Sequence, residues 1–157
     1  MARSKKIPQP STTTVKTPQA GVSLVWAQDF SKRSTAQFDL AQKFVDSECI
    51  RRMVRYTPAR NNIMTKSATL GTKIGSGHIY YASPYARYQY YGYLMVSSIT
   101  GSPWARNGEK KVTTDRMLNY STARHPEAQR LWFETMKSNS LKAIKSGAQR
   151  IAGGASR

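Results

Sequence analysis

A chain of 157 residues is long enough for one domain with one core and too short for two ordinary ones. Charged residues at 21% and hydrophobic residues at 39% exclude a disordered tail and describe a globular protein. The 25 Lys and Arg against 8 Asp and Glu leave a net charge of +17, beyond the magnitude of about 2–8 that suits a small soluble domain, and so favour an anionic partner over solubility alone.

The first residues are basic (Arg3, Lys5, Lys6), but Ile7-Pro8-Gln9-Pro10 and a Ser/Thr run follow them. With no apolar run there, no secretory signal is predicted. Residues 1–20 contain Pro8, Pro10 and Pro18 and no acid, which predicts a flexible basic arm ordered only by a neighbour. Arg3, Lys5, Lys6 and Lys16 are its candidates for facing an anion or DNA. A single domain is predicted over 21–154, with 155–157 as a short tail.

Val22–Ala27 reads as a short strand. Ser34 and Gln37 have the spacing of a capping box, so a helix is predicted to start at Ser34, and Pro58 closes it by driving Thr57 out of the helical region. Between them Phe38, Ala41, Val45, Cys49, Met53 and Tyr56 recur every three or four residues as a core stripe. Cys49 in that stripe reads as a small buried hydrophobe. As the chain's one cysteine it forms no intrachain disulfide, which fits a reducing compartment. Leu40, Phe44 and Val54 fall on the opposite side of the helix. They are either a second strip covered by a neighbouring subunit or tolerated surface hydrophobes.

Beyond Pro58, Ser67–Ile74 and His78–Ala82 read as two strands joined at Gly75-Ser76-Gly77, a hairpin over 67–82. Tyr93–Thr100 is a further strand, and Lys111–Thr114 a short one. The residues between Arg87 and Arg106 carry no formal charge, but Gly92, Gly101, Pro103 and several serines interrupt them, so no membrane span is predicted. Pro126 is predicted to open the last helical region. There Ala128, Trp132 and Met136 mark one face, and Leu141, Ile144, Ala148 and Ile151 mark another. A bent helix, or a pair broken near Ser138-Asn139-Ser140, reconciles the two faces. The predicted fold is α+β: a long N-terminal helix packed on a small antiparallel sheet, with a C-terminal helix or bent helix pair.

The inventory speaks against an enzyme. His78 and His125 are far apart, and neither has a Cys, Asp or Glu at metal-ligand spacing. No catalytic, metal or cofactor site is predicted, and residues 57–108 contain no acid at all. Gly71-Thr72-Lys73 and Gly75-Ser76-Gly77 lack the spacing of a phosphate loop. The densest local signal is Tyr80 to Tyr93, which holds Tyr80, Tyr81, Tyr85, Tyr88, Tyr90, Tyr91 and Tyr93 around one cation, Arg87. Three uses fit such a run: base stacking on single-stranded nucleic acid, a polar-edged core, or anchors in a protein–protein seam. A mixture of core and seam is preferred. Tyr85, Arg87, Tyr88, Tyr90 and Tyr91, with Leu40, Phe44 and Val54, are the candidate interface residues.

Several of these residues also form a recognisable pattern. Thr57-Pro58, Ile63-Met64, Lys66-Ser67, Ile79-Tyr80-Tyr81, Pro84-Tyr85-Ala86-Arg87-Tyr88-Gln89-Tyr90-Tyr91-Gly92 and Trp132-Phe133-Glu134 with Met136-Lys137 resemble the minor capsid proteins of tailed bacteriophages. These are similar to the neck and tail-completion proteins between head connector and tail tube. The resemblance spans roughly residues 57–154. Asn61-Asn62 stands where the family often has a Thr-Gly turn. The resemblance implies an α+β virion protein made in the host cytoplasm, without catalysis or cofactor. It further implies a homo-oligomeric ring, a hexamer, around the DNA channel. Head-closure or connector and tail-terminator or tail-tube proteins would be its neighbours, with contact to packaged DNA. The alternative is a free nucleic-acid-binding protein that uses the basic arm and the tyrosines.

Overall fold

A computed structural model describes residues 6–153 of the chain. The fold is α+β. In chain order it comprises β1 (Thr13–Lys16), β2 (Gly21–Leu24), α1 (Phe30–Met53), α2 (Ile63–Gly71), α3 (Ala86–Tyr91), β3 (Tyr93–Ser97), β4 (Lys111–Met117) and α4 (Trp132–Ala152). Strands β1 and β2 form one antiparallel pair, and β3 and β4 another. The charged residues Arg3 and Lys5 lie outside the described residues, while Lys6 and Lys16 are exposed.

Helix α1 starts four residues before the expected Ser34, because its cap comes from a distant segment. The Ser31 N–H donates to the Gln9 Oε1 at 3.0 Å, and the Gln9 amide donates to the Ala27 carbonyl at 2.8 Å. An amide at the helix start is thereby satisfied from outside, and Ser34 sits within the first turns instead of capping them. The far end follows the sequence. A single 3₁₀ turn, Val54–Tyr56, ends at Thr57 with ψ 126, as the residue before Pro58 requires. The expected arm boundary at residue 20 falls in the turn of the β1–β2 hairpin, where the Thr17 N–H donates to the Ala20 carbonyl.

The core lies between α1 and α4. Met53, Tyr56, Trp132, Met136 and Ile144 are buried together, with Val45, Cys49, Ile50, Tyr81, Tyr90 and Phe133 packed around them. The stripe predicted for α1 is correct from Ala41 to Tyr56, but Phe38 at its upper end is exposed. Helix α4 is continuous and needs no break at Ser138-Asn139-Ser140. Its buried line runs Trp132, Met136, Ser140, Ile144 and Gly147, a helical repeat that includes two small residues. There α1 comes close: a Cβ added to Gly147 would lie 2.5 Å from the Phe44 ring. Leu141 points to solvent.

Two further segments differ from expectation. Ser67–Gly71, expected to begin a strand over 67–74, belong instead to a helix over Ile63–Gly71. Asn62, left-handed at φ 59, opens the helix, a conformation asparagine tolerates, and Ser67 and Ala68 face inward. The segment 78–82 runs extended without pairing as a strand. The Tyr80 N–H is taken by the Thr72 Oγ1 at 3.0 Å, and the Ala82 N–H by the Ser67 carbonyl at 3.3 Å. Nor does Pro126 start a helix. The Gln129 N–H donates to the Tyr56 carbonyl and the Leu131 N–H to the Tyr90 carbonyl, so 126–131 docks against other elements and α4 begins at Trp132.

Candidate protein–protein interface

The tyrosine run folds into an extended approach, one short helix and a sharp exit. Ser83 turns the chain into α3, its carbonyl accepting from the Ala86 N–H. Gly92 ends the helix in the left-handed region at φ 79, where a side chain is disfavoured. The close approach of Tyr120 Oη and Arg130 there leaves no room for one either. The Tyr120 hydroxyl donates to the Gln89 carbonyl at 2.5 Å, which ties the helix to the segment after β4.

A six-residue helix has an inside and an outside, and the tyrosines divide between them. Tyr81 and Tyr90 turn inward onto Trp132, with ring centroids 5.5 Å and 4.9 Å away. The Tyr90–Trp132 pair is edge-to-face at 88°, an arrangement aromatic rings favour. Burial pushes both phenol pKa values up. Tyr90 therefore belongs to the wall of the core, which corrects its place among the open interface anchors. Tyr80, Tyr85, Tyr88, Tyr91 and Tyr93 are exposed. Arg87 is exposed beside them and borders a cavity of about 550 Å³ lined also by Cys49, Ile79, Tyr81, Tyr90 and Trp132. Among the described residues four other arginines are paired with carboxylates: Arg33 with Asp29, Arg51 and Arg52 with Glu48, and Arg55 with Glu127. Arg87 has no such partner among the described residues.

The second predicted strip does not hold together. Phe44 packs on α4 at Gly147, so it is part of the helix pair, whereas Leu40 and Val54 are exposed. The thiol of Cys49 is half-buried. Desolvation raises its pKa, and nearby Asp46 and Glu48 raise it further, which suits packing better than nucleophilic chemistry.

No motif or apolar pattern in the sequence marks Asp46. It is buried in the middle of α1, and its Oδ2 accepts from the Gly75 and Gly77 amides at 2.7 and 3.2 Å. Its Oδ1 accepts from the Gln42 amide at 2.8 Å. This carboxylate fastens the loop before the tyrosine run to α1, with its hydrogen-bonding capacity met as burial demands. The glycine pair with free amides on either side of Ser76 was the available signal. His78 is exposed, and the His125 Nδ1 lies 2.7 Å from the Thr57 carbonyl. Among the described residues no group of His, Cys, Asp and Glu could hold a metal ion, and no helix is long and apolar enough to cross a membrane.

A scan against protein-family models finds no match to this chain, and searches of curated proteins and of solved structures find no similar one.

Proposed function

We propose that this chain is a structural assembly subunit, and that it serves as a ring-forming component of the neck between head and tail of a tailed bacteriophage. The observation that carries the assembly reading is surface. A compact monomer of this mass has an accessible area of about 7,900 Å², whereas this chain has 12104 Å², about half as large again. Exposed Tyr80, Tyr85, Tyr88, Tyr91, Ile99 and Trp104 are the residue types that interfaces favour or bury. The phage assignment rests on the Pro84–Gly92 run and its resemblance to minor capsid proteins.

Purified particles should contain the protein by mass spectrometry, and cryo-EM should place it between connector and tail tube. Tyr88→Ala should weaken incorporation by about 2 kcal/mol or more as an interface anchor, with little change in monomer unfolding. Arg87→Glu should impair incorporation and leave the fold intact. Absence of the protein from particles would sink the neck assignment.

The second reading, a free nucleic-acid-binding protein, is favoured by one observation. Arg87 lies among exposed tyrosines with no carboxylate partner among the described residues, in a segment without acids. It predicts binding of single-stranded DNA that weakens with salt, at a log–log slope of about −0.7 per neutralised phosphate. Tight binding by the isolated subunit, lost in Arg87→Glu, would put this reading first.

A further inference from the structure

The β1–β2 hairpin has an apolar face that nothing among the described residues covers. Its register pairs Thr13 with Leu24, Thr14 with Ser23, Val15 with Val22 and Lys16 with Gly21. Side chains alternate across a strand, so one face is polar, closed by the Thr14–Ser23 hydroxyl pair at 3.0 Å and carrying Lys16. The other face holds Val15, Val22 and Leu24, which are 63%, 71% and 55% exposed. A two-stranded hairpin of this size is at best marginal in water. Exposed strand edges are normally blunted with charge or proline, yet β2 (Gly-Val-Ser-Leu) has neither.

Its base, in contrast, is secured to α1. The Ile7 N–H donates to the Thr35 Oγ1 at 3.0 Å, the Ser31 hydroxyl donates to the Ile7 carbonyl, and Gln9 bridges Ala27 and Ser31. The hairpin is thus held in place at its root and left bare along its length.

We propose that this hairpin is a docking arm whose Val15–Val22–Leu24 face is buried against a second copy of the chain. Area argues for the second copy. The surplus accessible surface is about 4,000 Å² per chain, and obligate assemblies bury about 2,000–5,000 Å² per interface. Charge argues in the same direction. An anionic partner would seek the cations, but the apolar face has none, since the hairpin's one charge, Lys16, lies on the opposite side. The chain also offers a receiving surface. β3 and β4 form a separate two-stranded sheet, on one face of which the directly paired Tyr93 and Met117 are exposed. Arm and receiver are different surfaces, so the contact is head-to-tail, the kind that closes into rings.

This inference rests on the self-assembly part of the proposed function and not on the neck location. Sedimentation of the purified full chain, at low and high salt, tests it against the double variant Val15→Lys/Val22→Lys. Wild type should associate, and more strongly as salt rises, because screening relieves repulsion between copies that each carry +17. The variant should associate about a hundredfold more weakly or worse. Its circular dichroism and thermal midpoint should be unchanged, since both side chains are exposed. In a mixture of isotopically light and heavy chains, lysine cross-links from Lys16 should join one copy to another. A variant that associates like wild type overturns the arm and leaves self-assembly standing. Wild type that stays monomeric under every condition overturns both. Hairpin-dependent association of a protein absent from particles would keep the arm and remove the neck. Loss of binding to a different protein, with self-association untouched, would also overturn the proposal.

Discussion

The α1–α4 pair and the two hairpins are built on opposite principles. In the helix pair the largest buried side chains, Trp132, Met53 and Met136, meet across one seam. In the hairpins the described strand residues are nearly all exposed or half-exposed, and Ser97 alone among them is buried. That serine acts as a hydrogen-bond hub. Its hydroxyl accepts from the Ile99 and Thr100 amides at 3.1 and 3.0 Å and donates to Glu109. Apolar burial stabilises the first region, while polar bonds shape the second. The buried apolar contacts thus lie in one place and the exposed strand surfaces in another.

The comparison is most easily broken with tryptophan. Trp132→Ala should cost about 3–5 kcal/mol in denaturant unfolding, because it empties the centre of the seam. Trp104→Ala, at a site 85% exposed in the loop between β3 and β4, should stay within about 0.5 kcal/mol. Similar losses at both sites would mean that the loop carries folding energy after all. A smaller effect is expected at Gly71, where an added Cβ would lie 2.7 Å from the Tyr80 carbonyl oxygen. Backbone must shift to admit it, so Gly71→Ala should destabilise by about 1–3 kcal/mol, measurable as a lower denaturant midpoint at an unchanged slope.

The periodicity of α1 from Ala41 to Tyr56, its stop before Pro58 and the strand after Gly92 were all legible in the sequence, since each is decided within a few residues. What was not legible depends on partners far along the chain. The start of α1 relies on Gln9, and the extended segment at Tyr80 relies on Thr72. The unbroken α4 could not be seen because Ser140 and Gly147 face α1, and small residues interrupt an apolar count without interrupting a helix. Of the candidate interface, the exposure of Tyr85, Tyr88 and Tyr91 matches an outward role. Tyr90 could not be separated from them until α3 placed it over Trp132.

The smallest expected effect is electrostatic. Glu48 accepts from Arg51 and from Arg52. The Arg51 bond foremost, then Arg52, holds its pKa down from 4.5 to about 2. With the folded value below the unfolded one, this contribution is complete above pH 4.5 and is lost as pH falls towards 2. Both arginines are partly or largely exposed, so the loss should be no more than about 1 kcal/mol. The stability gap between wild type and Glu48→Gln should be full above pH 4.5 and close as pH falls towards 2. A difference that persists unchanged below about pH 2 would assign Glu48 a role other than charge.

The contact between Gly147 and the Phe44 ring has a consequence for inheritance. With 2.5 Å between that ring and the place a Cβ would take, the two positions share one fixed volume. Neither can drift alone. A lineage that acquires alanine or serine at 147 should shrink the side chain at 44, and one that keeps a large ring there should keep glycine opposite. The two sites should therefore change together across descendants of this fold, although more than a hundred residues separate them in the chain.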